Sequence, residues 1–368
     1  MVGRAIALDL ASDDDLQVVS ADVSKEALEP LEGAGGVTTV QADLSRKEEV
    51  EAVIAGADIV VGAVPGFMGY RTVRTVIEAG VDIVDISFFP EDFRGLDPIA
   101  RERGVRCLVD FGVAPGCSNL ICGRVSESFG RVDRFLCMVG GLPEERRLPW
   151  EYQAPFSPAD VIEEYTRIAR IVRDGRIVSL PPLTESELID FEGVGTLEAF
   201  LTDGLRSLLL VEGIPDMVEK TLRYPGYIDK VKLLADSGFF SIEPRRTGNG
   251  DVVPLELTSQ LLFDAWKQDP GDRDLTVMRV EAQGESKKGQ PVSSVWDMLD
   301  RYDDGSRTSS MARTTGYTCT AGVRMLASGL WKVQGASPPE DVGRDRVCFE
   351  FVMDQLRARG IEFRMTEV

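Results

Sequence analysis

Along the first 110 residues the apolar positions switch repeatedly between a helical and a strand period. Val2, Ile6 and Leu10 stand four apart beside the run Gly3–Ala11, one stripe of a helix. Leu16–Asp22 is rich in β-branched residues and closes on a carboxylate, which predicts a strand. Ser24 caps a helix over Lys25–Leu31, Val37–Asp43 is the next strand, and Ser45–Ala55 is a helix with acids in its first turns, where they favour the helix dipole. Asp58–Val64 is almost continuously apolar, as in a sheet covered on both faces, and it runs into Pro65-Gly66. Helix Tyr70–Ala79, strand Val81–Ser87, helix Leu96–Arg103 and strand Val105–Asp110 continue the alternation. Five strands alternating with helices across short loops predict an α/β domain with a Rossmann-type, doubly wound parallel sheet.

Near residue 120 the rhythm changes. Asn119–Phe129 is helical, and after Arg131 the strand-like stretches Phe135–Val139, Ile177–Leu180, Leu188–Phe191 and Val277–Ala282 are separated by long connections. Pro215–Leu222 and Ile228–Ser237 read as helices, and Arg245–Gly250 as a loop. Met311–Leu330 is a helix of small residues suited to close packing. The predicted organisation is a dinucleotide-binding domain over 1–118, an α+β substrate domain over 119–310, and a helical segment over 311–368.

Charge and composition narrow the function. A net charge of −20 argues against a nucleic-acid partner, since phosphate binding needs concentrated basic surface. No apolar run reaches the roughly 20 residues that span a bilayer, so no membrane partner is expected and a cytoplasmic location is. The six cysteines show no CxxC spacing, and a reduced, buried state is expected for them. Histidine is absent, which removes every His-dependent triad, acid–base catalyst and metal site; no metal is expected. Proton transfer must use carboxylates, lysine, tyrosine, hydroxyls or water.

Ligands of doubly wound sheets bind at the carboxyl ends of the strands. Asp22, about 20 residues beyond Gly3, is a candidate partner of an adenosine ribose and would disfavour a 2′-phosphate, so NAD is expected over NADP; a surface aspartate is the alternative. Asp43 with Leu44 is a candidate adenine edge or a capping turn. Val64, Pro65 and Ser87 close the later strands on the cofactor side. Asp85 lies between Ile83-Val84 and Ile86, either as a buried structural acid or as a base facing the cleft, its pKa raised by burial. The turn Gly112–Asn119 is an anion site at a helix start or a tight crossing. Cys117 there is an activated thiol or an inert packing residue. Arg223 is a carboxylate clamp or a surface arginine.

Several segments together resemble the saccharopine dehydrogenase-related family, and most closely its lysine 6-dehydrogenase branch. They are Asp85–Asp92, Gly112–Asn119, Gly140–Pro143, Phe156–Pro158 with Val161–Tyr165, Gly193–Phe200 and Thr221–Gly226. The resemblance implies a Rossmann domain that binds NAD(P), a mixed second domain that walls the substrate, and a C-terminal helix that returns to the first domain. It also implies an upstream strand and the fingerprint Gly-x-Gly-Met-Val-Gly, of which Met1-Val2-Gly3 match the last three positions. Met1 is therefore expected to be an internal methionine of a longer reading frame, and the first strand to be missing.

Saccharopine reductases carry tyrosine, aspartate and cysteine where this chain has Phe88, Ala114 and Val139, and an arginine near Asp203. The implied substrate is an unconjugated diamino acid such as lysine, oxidatively deaminated to a semialdehyde. Asp85 is the implied base, Arg223 holds the α-carboxylate, Asp203 faces an amino group and Tyr224 lines the substrate. A homo-oligomer is expected. The competing readings are a reductive condensation enzyme of the saccharopine or carboxynorspermidine type, and a non-catalytic paralogue or fragment unable to bind cofactor.

Overall fold

The computed structural model describes residues 2–154, 158–248, 250–269 and 271–367. The expected Phe156-Ser157 segment lies outside them. The chain begins α1 (Val2–Leu10), β1 (Val18–Asp22), α2 (Lys25–Leu28), β2 (Val37–Gln41), α3 (Lys47–Val53), β3 (Ile59–Gly62), α4 (Gly66–Glu78), β4 (Asp82–Asp85), α5 (Asp97–Arg103), β5 (Arg106–Leu108) and α6 (Cys117–Ser128). Then follow β6 (Phe129–Pro143), α7 (Pro158–Thr166), β7 (Ala169–Arg173), β8 (Arg176–Leu180), β9 (Glu187–Phe191), β10 (Gly195–Leu201), β11 (Asp216–Arg223) and α8 (Tyr227–Asp236). The last third holds β12 (Arg245–Thr247), β13 (Gly250–Val252), α9 (Pro254–Ala265), β14 (Asp274–Ser286), β15 (Pro291–Arg301), α10 (Ser310–Ala327), β16 (Gly335–Ser337), α11 (Pro339–Arg344), α12 (Arg346–Ala358) and β17 (Phe363–Glu367).

Two compact units result. Residues 1–128 with 312–362 form the first, and 129–311 with 363–368 the second. In the first unit the βα alternation follows the predicted order. Ser24 caps α2 by accepting the amide of Ala27, and Pro30, which has no amide hydrogen to donate, turns its end into a 3₁₀ turn. The strands do not form one sheet. β1 pairs in parallel with β2, while β3, β4 and β5 form a separate parallel sheet that β16 extends. Among the described residues β1 bonds only to β2, and β3 only to β4. Val73, Val76 and Ile77 of α4 bury against Ile83 and Cys107 to make the core of the larger sheet.

The second unit is built on a nine-stranded mixed sheet whose main path runs β17-β15-β14-β6-β11-β10-β9, with β7 and β8 branching from β11. The parallel pair β6–β11 sits at its middle and antiparallel neighbours flank it. One core covers each face. Phe200 of β10 belongs to an aromatic core with Tyr152, Tyr165, Tyr227 and Trp266, whereas Ala199 and Leu222 belong to the opposite, aliphatic one.

Two sequence expectations fail here. Pro215–Leu222 is not a helix, since Asp216–Arg223 is the strand β11. Arg245–Gly250, expected as a loop, supplies most of the short hairpin β12–β13.

Candidate active site

In the first unit, Asp22 closes β1 and its Oδ1 accepts the amide of Ser24 at 2.8 Å. Asp43 stands just past β2; its Oδ1 accepts the Ser45 amide at 3.0 Å, and the Ser45 side chain and amide hold its carboxyl below the usual range. Leu44 packs on the sheet core. Past β3, Val64 is half-buried, and Pro65 is exposed as the N-cap of α4. Gly3 is exposed near the start of α1, with nothing close to its α-carbon on the side a Cβ would take.

Asp85 ends β4 with 0% exposure. Its Oδ2 accepts the Ser87 amide at 3.0 Å, and the Ser87 hydroxyl lies 2.9 and 2.7 Å from the two carboxylate oxygens. Asp85 is thus a buried carboxyl hydrogen-bonded to Ser87. Its contacts with Ser87 fold the turn after β4. Three glycines make that turn possible. A Cβ on Gly62 would collide with Asp85 Oδ1, one on Gly69 with the Ser87 hydroxyl, and one on Gly66 with the carbonyl of Phe88. The spacing 62, 66, 69 is the sequence signal for this close approach.

The Gly112–Asn119 turn bonds its amides within the chain. Cys117 and Ser118 donate their amides to the carbonyls of Gly112 and Val113, and Gly116 donates to Asn119 Oδ1. The orphan donors that would hold an anion are already used. Cys117 is buried beside Thr318, and burial pushes its thiol up to about 12, so the inert alternative holds.

The second unit holds a polar stripe absent from the sequence reading. Side chains two residues apart on a strand share a face, so Glu219, Thr221 and Arg223 of β11 line one side. That side is the aromatic one, because Phe200 is the register partner of Thr221. All three are buried, Glu219 at 5% exposure and Arg223 at 3%. Thr202 Oγ1 lies 2.7 Å from Glu219 Oε2 and 2.8 Å from Thr221 Oγ1.

Arg223 sits with its guanidinium carbon 4.6 Å above the Tyr152 ring and donates to Glu164 Oε2 at 3.2 Å and to the Tyr165 hydroxyl at 3.3 Å. Its Nε and the indole nitrogen of Trp266 are buried without a hydrogen-bond partner among the described residues. The surface-arginine alternative is thereby excluded. Burial pushes the Glu219 carboxyl up to about 8; Glu164 and Asp203 push the same way, against the Thr202 hydrogen bond and Arg223.

Two expected substrate residues are otherwise engaged. Both oxygens of Asp203 are taken by Arg170, at 3.0 Å from Nε and 2.8 Å from a terminal nitrogen, so a protein guanidinium stands where a substrate amine was expected. Tyr224 packs in the aliphatic core, and its hydroxyl donates to the carbonyl of Pro143 at 2.8 Å. Phe88, Ala114 and Val139 are each half-buried.

Family models match nearly the whole chain: the saccharopine dehydrogenase NADP binding domain over residues 1–108, and the saccharopine dehydrogenase C-terminal domain over 112–361. The chain belongs to the saccharopine dehydrogenase family. Saccharopine dehydrogenase [NADP(+), L-glutamate-forming] of Saccharomyces cerevisiae is 26% identical over 267 residues, 69% of this chain and 59% of that protein. The match thus spans less than two thirds of that relative's length. Carboxyaminopropylagmatine dehydrogenase of Synechocystis is 21% identical over 310 residues, 79% of this chain and 76% of its own. The solved apo structure of saccharopine dehydrogenase (L-Glu forming) from Saccharomyces cerevisiae matches this chain's fold with a TM-score of 0.80 at 19% identity, covering 100% of this chain and 97% of that one. No helix among the described residues is long and apolar enough to cross a membrane.

Proposed function

We propose that this chain is an NAD(P)-dependent oxidoreductase acting on a C–N bond, and that it oxidatively deaminates the ε-amine of L-lysine or a related amino acid to a semialdehyde. The observation that carries the reading is the buried stripe on β11, which sets a guanidinium and a carboxyl on one wall. Arg223, with an unpartnered Nε, is the carboxylate clamp, since guanidinium pairs with carboxylate in a fork. Saccharopine is disfavoured because Phe88, Ala114 and Val139 offer no polar group, and Asp203 with Arg170 replaces the arginine of that branch.

On the cofactor side, Asp22 holds the ribose with the carboxylate oxygen that Ser24 leaves unused. Asp43 and Leu44 flank the adenine, Gly3 the pyrophosphate, and Val64, Pro65 and Ser87 the nicotinamide end. The bound cofactor supplies hydride acceptance. Asp85 keeps the turn in place and does not touch substrate. We infer NAD rather than NADP from the charge of Asp22, although the fungal relative is named for NADP(+).

The test is the absorbance of reduced cofactor with NAD⁺ or NADP⁺ and L-lysine, against saccharopine. Lysine-dependent reduction is expected, and Arg223→Lys should raise KM for lysine about 10-fold or more, since a point charge loses the fork. Turnover of saccharopine alone, or consumption of NADH with an amine and a 2-oxo acid, would replace this reading with the condensation reaction.

A further inference from the structure

Glu219 is a buried carboxyl with one hydrogen-bond partner among the described residues, the Thr202 hydroxyl. Its place is kept by Gly204, where any Cβ would collide with the carboxylate. Two further acids, Glu164 and Asp203, act on Glu219, against Arg223; Arg170 pairs with Asp203. With all three ionised the group carries an excess negative charge inside the protein, which burial penalises. Such a group takes up a proton readily.

The two threonines give that proton a path. A hydroxyl has one hydrogen to donate. When Glu219 is ionised, Thr202 donates to it, so Thr221 must donate to Thr202, which leaves the Thr221 oxygen as an acceptor at the end of the chain. When Glu219 is protonated the polarity reverses, and Thr221 presents its hydrogen instead. Thr221 and Arg223 lie two strand residues apart, about 6.7 Å, close to the reach of a four-methylene chain between a clamped carboxylate and an amine.

We infer that Glu219 accepts the proton of the substrate's ammonium, passed through the hydroxyls of Thr221 and Thr202. This rests on the amine substrate proposed above. The N–H bond of the ammonium breaks as an O–H bond forms on Thr221. The Thr221 hydrogen passes to Thr202 and the Thr202 hydrogen to Glu219, and the amine keeps its electron pair, as imine formation requires. The reading gives the neutral amine without Asp85.

Infrared difference spectra of the full chain test it, with calorimetry to establish that L-lysine binds. In the free protein a protonated-carboxyl band should titrate near pH 8 and be missing in Glu219→Gln. At pH 9, bound lysine should restore that band, whereas norleucine, which lacks the ε-amine, should not. Thr202→Val should bind lysine without restoring it, and serves if Glu219→Gln does not fold. With turnover, kcat/KM should rise with pH to a plateau above about 8, and Glu219→Gln should lose about 10²–10⁴-fold at that plateau. A band that does not titrate, one that persists in Glu219→Gln, or bound lysine that leaves the band unchanged each overturns the assignment. A flat calorimetric isotherm overturns the lysine reading and this role with it, a result distinct from lysine that binds without moving a proton.

Discussion

Glu219 shows how far a single residue's environment can move its chemistry. An exposed glutamate on a strand would be ionised at neutral pH, but here burial holds the carboxyl neutral until about pH 8. The sign of the stability effect follows. The unfolded chain releases this proton near the ordinary glutamate value and the folded chain only near 8. Between those limits the folded state binds more protons, and stability falls as pH rises. Urea unfolding between pH 5 and 8 should show this decline, and Glu219→Gln should flatten it; an equal slope in both proteins would mean that Glu219 is already ionised in the fold. Asp85 is likewise fully enclosed, its side chain held by Ser87, with glycines at 62, 66 and 69 leaving room for the turn.

At the scale of elements, β11 decides the second unit. Its apolar residues Met217, Val218 and Leu222 fit a helical stripe about as well as a strand, and short apolar runs do not separate the two by periodicity alone. Taken as a helix, 219 and 223 share a face while 221 points away from it; as a strand, all three line up. The stripe was therefore invisible until β6 and β10 supplied the pairing on either side. The opposite face is buried as well. Leu222 is fully enclosed among Met138, Leu197 and Val277, so Leu222→Ala should cost about 2–5 kcal/mol. Leu188 of the edge strand β9 is 65% exposed, and Leu188→Ala should stay within about 0.5 kcal/mol. Chemical denaturation of the two variants checks the contrast; comparable losses would mean that the edge strand is buried in solution.

For the whole molecule, the proposed cofactor preference turns on one sheet end. If Asp22 meets the ribose as proposed, its carboxylate faces any 2′-phosphate, so NAD⁺ should bind at least about 10-fold tighter than NADP⁺, and Asp22→Ala should narrow that gap, one charged hydrogen bond being worth about 1.5 kcal/mol or more. Fluorescence titration with both cofactors measures it, and tighter binding of NADP⁺ would remove the role given to Asp22. The sequence by itself determined the order of strands and helices over the first 128 residues, the capping of α2 by Ser24, and the family, because those features are local: periodicity, turn residues and short motifs lie close together along the chain. Tertiary structure decided what each charged side chain meets. Arg170 reaches Asp203 from 33 positions away, Glu164 reaches Arg223 from 59, and Arg324 reaches Asp9 from 315. An ion pair or a buried carboxyl depends on what the folded chain brings to it from far along the sequence, and local pattern carries no record of that.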